Sequence, residues 1–171
     1  MARQTETKDD AIDQLWRQLE QSRIVMLSVP DSGQHPQPMS HFAHRKDGAI
    51  WFITSADTDL AMAVGAGADG MLTLATSSED YQASLKGRLS FETDPDKLDE
   101  IWTPLAGAWF ENGRQDPKIR LLKFVPSEAA VWASETNAIL LGLKLLRANM
   151  TEGGAAPDVG VHHVFRFQDA A

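Results

Sequence analysis

Apolar residues at Ile12, Leu15, Trp16 and Leu19 recur at intervals of three and four, which predicts an amphipathic helix from about Asp10 to Gln21 packed on a sheet. From Ile24 the period changes. The run Ile24 to Val29 ends in Pro30-Asp31-Ser32-Gly33, residues suited to a turn, and predicts a first strand. Pro38 to Arg45 is a second extended segment, Lys46-Asp47-Gly48 a tight turn, and Ala49 to Thr54 a third strand, so the three predict a meander. Asp57 or Thr58 is placed to cap a short helix through Val64, and Gly65-Ala66-Gly67-Ala68-Asp69-Gly70 reads as a loop leading into a strand from Met71 to Ser77. The Gly-x-Gly in that loop follows a helix, whereas a dinucleotide fingerprint precedes one, so the loop reading stands.

Tyr81 to Glu92 predicts a long strand hairpinned to the one before it, with Gly87 as a bulge or a point of close approach. Asp94-Pro95 is a helix start, because Asp94 can accept free amide protons and Pro95 fits the first helical position. Leu98, Ile101 and Trp102 supply its buried stripe. Ile119 to Val125 and Ala129 to Ser134 read as two strands separated by Pro126-Ser127, Asn137 to Met150 as a terminal helix, and Val161 to Phe167 as a short strand or loose tail. Several strands punctuated by short helices, without regular strand-helix alternation, predict an antiparallel barrel with peripheral helices, mainly β within the α+β class. The expected organisation is a frayed N-terminus over residues 1–10, one domain over 11–150, and a tail over 151–171.

Composition narrows the function. The chain has 171 residues, no cysteine and a net charge of -8. Without cysteine there are no disulfides, thiolate metal sites or cysteine nucleophiles, so redox chemistry would have to come from a cofactor. The negative charge argues against nucleic acid as a partner, and no apolar run approaches a membrane span. The polar start MARQTETKDD lacks the apolar core of a signal peptide, which predicts a cytoplasmic chain. The histidines offer no metal spacing: His41 and His44 fall on opposite faces of a strand, and His162-His163 is an adjacent pair. Acid-base and nucleophile templates find no matching constellation.

Six fragments carry a resemblance. Ile24-Val25-Met26-Leu27, Pro36-Gln37-Pro38-Met39-Ser40, Trp51-Phe52-Ile53-Thr54-Ser55, Tyr81 to Gly87, Leu98-Asp99-Glu100-Ile101-Trp102 and Ala108-Trp109-Phe110 occur in order, followed by Asp116-Pro117-Lys118-Ile119-Arg120-Leu121-Leu122. From about Leu15 to Trp132 the chain resembles general stress protein 26-like members of the pyridoxamine 5'-phosphate oxidase-related family. That resemblance implies a split β-barrel forming a homodimer, with flavin mononucleotide (FMN) in clefts between the subunits. It places Pro38, Met39, Ser40 and His41 along the flavin ring, and Ile53, Thr54, Ser55 and Thr58 at the flavin phosphate. Trp109 would cover the flavin or another ring from the partner subunit, or else be a core or dimer-interface aromatic.

The chain departs from the family at Asp59 and Leu60, where flavin-tight relatives often carry a cation. Unless Arg88, Arg45 or a partner residue compensates, the resemblance implies weak phosphate binding, with riboflavin, another planar ligand or no ligand as alternatives. Two functions follow: a stress-associated flavin-dependent oxidoreductase, or a dimer that stores, carries or senses flavin without turnover. Fold alone does not decide between them.

Overall fold

The computed structural model describes residues 7–78, 80–134 and 160–167. Its first helix, α1, spans Lys8–Gln21, and Thr7 caps it by accepting from the Asp10 amide at 3.2 Å. Asp9 and Asp10 in the first turn suit the positive end of the helix dipole. Ala11, Ile12, Leu15, Trp16 and Leu19 are its buried stripe. The helix therefore begins inside the segment expected to fray.

Eight strands make one antiparallel sheet: β1 Ile24–Ser28, β2 Gln37–Ser40, β3 Phe42–His44, β4 Ala49–Ser55, β5 Ala68–Ala75, β6 Tyr81–Glu92, β7 Ile119–Ser134 and β8 Gly160–Arg166. Between them lie α2 (Asp59–Val64), α3 (Pro95–Ile101) and the single turn α4 (Pro104–Gly107). The strand order is β2-β1-β5-β6-β7-β4-β3, with β8 also on β7. The end strands β2 and β3 are consecutive in the chain, joined by His41 alone. One residue thus carries the chain from one edge of the sheet to the other, and the sheet curls into a barrel with a seam at that residue.

The predicted second strand is in fact this broken pair, because a straight strand cannot belong to both edges. The predicted glycine loop is shorter than expected. Ala68, Asp69 and Gly70 already pair with Leu89, Arg88 and Gly87, since a long partner strand supplies the ladder. Thr58, not Asp57, caps α2. The terminal helix expected over Asn137–Met150 lies outside the described residues, whereas the expected C-terminal strand is β8, paired along the second half of β7.

The two predicted strands 119–125 and 129–134 are one strand with a bulge. Lys86 pairs with Glu128 and Gly87 with Pro126, which leaves Ser127 as the extra residue. That residue inverts the alternation: Leu122 and Phe124 point into the core before it, and Ala129, Val131 and Ala133 after it. The first half of β7 pairs with β4 and the second half with β8, so the strand serves two neighbours on one edge.

The core fills the barrel with Val25, Leu27, Phe52, Leu60, Leu72, Leu85, Leu89 and Phe124, closed by the α1 stripe. A second, smaller cluster lies outside β4, where Trp51, Leu121 and Ile101 of α3 meet. Lys97 and Lys123 stand 5.5 and 5.2 Å from the Trp51 ring. Lys97 also bonds Asp47 at 2.8 Å and Glu100 at 2.6 Å, and these bonds hold the Asp47 and Glu100 carboxyls below their usual range. That small network fastens α3 to the outside of the barrel.

Candidate functional site

The seam and the turn after β4 receive most of the predicted site residues. Along β2 the side chains alternate: Pro38 and Ser40 are exposed, and Met39 is buried. His41 is 7% exposed and turns inward, with Nε2 2.8 Å from the Leu19 carbonyl at the end of α1 and its ring 6.5 Å from that of Phe52. Its Nδ1 is buried with no partner, and burial holds the imidazole below its ordinary range. Of these four residues, Pro38 and Ser40 present side chains to an outside ligand.

At the far end of β4 the hydroxyls come together but are largely occupied. Thr58 accepts from the Ala61 amide at 3.2 Å and donates to the Ser55 carbonyl at 2.9 Å. Thr54 lies 3.1 Å from the Thr58 hydroxyl, whose proton is already used, so Thr54 is the donor of that pair. Neither threonine has a hydroxyl proton left for an anion. Ser55 accepts from the Asp57 amide at 3.4 Å and keeps its own proton. Ile53 is half-buried and packs on the outer Trp51 cluster.

Leu60 does not stand where a cation would face this turn. It is fully buried in the barrel core, because the helix that Thr58 starts directs it inward. A lysine there would have to be buried, so the comparison with a usual cation holds only for exposed Asp59. Trp109 is 81% exposed, on the turn after α4 and four residues beyond Leu105, which is 70% exposed.

The cations near the turn come from the residue before β7 and from the start of that strand. Arg120 pairs with Thr54 across the ladder, and the Ala56 amide donates to the Lys118 carbonyl at 2.8 Å. The Lys118 ammonium lies 2.7 Å from Asp57, which keeps it charged above its ordinary range. Arg120 donates to the carbonyls of Pro117 and Ile119 at 2.9 and 2.8 Å and lines a cleft of about 410 Å³ with Phe91, Leu98 and Arg114. Arg88 and Arg45, the compensating cations suggested by sequence, pair with Asp69 at 3.2 Å and Asp13 at 2.5 Å instead. Arg45 precedes β4, about 20 Å from its far end at the usual rise per residue. Sequence did contain the signal for Lys118 and Arg120, in Asp116-Pro117-Lys118-Ile119-Arg120, but only the register of β7 on β4 brings them to the turn.

A curled antiparallel sheet split at one seam is the split-barrel architecture. The chain matches the family described as pyridoxamine 5'-phosphate oxidase like over residues 10–158, and it belongs to that family. Among solved structures it is similar to a protein assigned to general stress protein 26 from Jannaschia sp. CCS1, with 34% identity and a TM-score of 0.77, covering 93% of this chain and 99% of that one. A protein assigned to the general stress family from Xanthomonas campestris pv. campestris is 32% identical, with a TM-score of 0.68 and coverage of 77% and 92%. The general stress FMN/FAD binding protein from Xanthomonas citri is likewise 32% identical, with a TM-score of 0.67 and coverage of 75% and 92%. None of the curated proteins compared with the chain matches it significantly. Among the described residues, no helix is long and apolar enough to cross a membrane.

Proposed function

We propose that the protein binds flavin, with the ring against the outer side of the seam at Pro38 and Ser40 and the phosphate at the turn after β4. The observation that carries this reading is the Lys118 ammonium beside the turn, at Asp57, which supplies a cation where Asp59 and Leu60 do not. The likeness to a general stress FMN/FAD binding protein supports the same ligand. The donors that fit a phosphate are the Ser55 hydroxyl and the Lys118 ammonium, which remain once the threonines have bonded each other. When bound, the flavin supplies electron or hydride transfer, and the chain's part is to orient it and exclude water. Oxidoreductase activity with a reduced nicotinamide is the first reading. Reversible carriage of flavin is the second, favoured by the Asp57–Lys118 ion pair, which a phosphate must displace.

Flavin fluorescence titration tests the site. FMN should bind no more than modestly better than riboflavin in the wild type. Asp57→Asn, which frees Lys118, should strengthen FMN about tenfold, equivalent to about 1.4 kcal/mol, within the range of a charge-assisted contact, and leave riboflavin unchanged. Lys118→Ala should remove the preference for FMN. Equal changes for both ligands, or no saturable binding of either, would overturn the reading. Turnover of a reduced nicotinamide by the flavin-loaded protein then separates the enzyme from the carrier.

A further inference from the structure

A larger cleft, of about 990 Å³, opens at the other end of β4, where α1, the bulge of β6 and β7, and Phe167 meet. Its size is in the usual range for small-molecule sites. The charges lining it are unusual for this chain. Arg45, Lys86 and Arg88 line it against a single carboxylate, Asp69, although the whole protein carries a net charge of -8. The acids that pair with Arg45 and Lys86, namely Asp13 and Glu128, are outside the lining. The three cations are 53%, 64% and 60% exposed, so their ion pairs are weak enough to be exchanged for a ligand.

Below the cations the surface is apolar. Met71 and Phe167 are half-buried, and Val125 is 42% exposed. Alternation along β7 turns Val125 outward opposite buried Phe124, one residue before the bulge at Pro126. A cationic rim over an apolar floor matches a ligand with one anionic end and an apolar body.

We propose that this cleft binds an amphipathic carboxylate, an alkyl chain whose head pairs with Lys86 and Arg88 and whose body lies on Val125, Met71 and Phe167. The site is separate from the turn that the flavin reading uses, and neither depends on the other. Isothermal titration calorimetry of the full-length protein with dodecanoate, kept below its micellar range, tests it. Saturable one-site binding is expected, with dodecanol at least tenfold weaker. The double variant Lys86→Ala, Arg88→Ala should weaken dodecanoate at least tenfold while leaving dodecanol and FMN titrations unchanged. If that variant fails to fold, Val125→Glu at an exposed position should abolish dodecanoate binding. No saturable heat, equal affinity for dodecanol, undiminished binding by the variants, or displacement of dodecanoate by FMN would each overturn the proposal.

Discussion

His41 donates from Nε2 to the Leu19 carbonyl while Nδ1 is buried without a partner, so a proton at Nδ1 puts charge where nothing accepts it. Its folded pKa is therefore below the unfolded value near 6.5, and the unfolded chain takes up the proton first. The sign follows. Stability is unaffected above about pH 6.5, falls as pH drops through that value, and levels off below the folded pKa. His41→Gln, which keeps an amide donor for Leu19 and does not titrate, should flatten the fall of urea-derived stability just below about pH 6.5; an unchanged slope would show that another group is responsible. Individual residue roles were the least legible part of the sequence. Thr54, Ser55 and Thr58 were readable as a hydroxyl cluster, but a one-dimensional pattern does not say that two of the three spend their protons on each other and on the backbone. Leu60 shows the same limit: adjacency to a cap placed it at the turn, and the helix rotation placed it in the core.

At the scale of elements, the alternation of Tyr81 to Glu92 and the cap at Asp94-Pro95 were readable because each is a local signal. Gly87 was readable as well, and its geometry explains why. A Cβ there would lie 2.3 Å from the Val125 carbonyl oxygen, 2.7 Å from the Phe124 ring and 2.9 Å from the Pro126 Cα. Two of those atoms are backbone and have little freedom to yield. Gly87→Ala should cost about 1–3 kcal/mol by overpacking, measured as a lower urea midpoint; a neutral substitution would mean that the two strands separate more easily at the bulge than their pairing implies. What misled the pattern was phase. The parity flip at Ser127 makes one strand look like two, and the pairing of Ala68 to Gly70 with distant Leu89 to Gly87 overrides a glycine-rich stretch that locally favours a loop.

The outer sheet face sets the expectation for the whole molecule. Pro38, Met26, Thr73, Ser84, Ala130 and Val164 form one row across six strands, and Trp132 lies on the same face, stacked on His162 at 4.9 Å. Met26, Trp132 and Val164 are 38%, 41% and 61% exposed. A row of small and apolar side chains on a broad sheet suits a self-complementary contact between two copies, which is the homodimer that the family resemblance implied. Sedimentation velocity at micromolar concentration should give a dimer, and Val164→Lys should shift it toward monomer; a wild-type monomer would rule out the flavin cleft between subunits that the family resemblance implied. Fold class was legible from element order alone, but closure of the sheet was not, because it depends on β2 and β3 being its two ends. That closure has a consequence for cooperativity. The ring of His41 ties the seam to the last turn of α1, so undocking the helix is expected to open the barrel as well, and native-state hydrogen exchange should show the amides of α1, β2 and β3 opening together although β2 and β3 are opposite ends of the sheet.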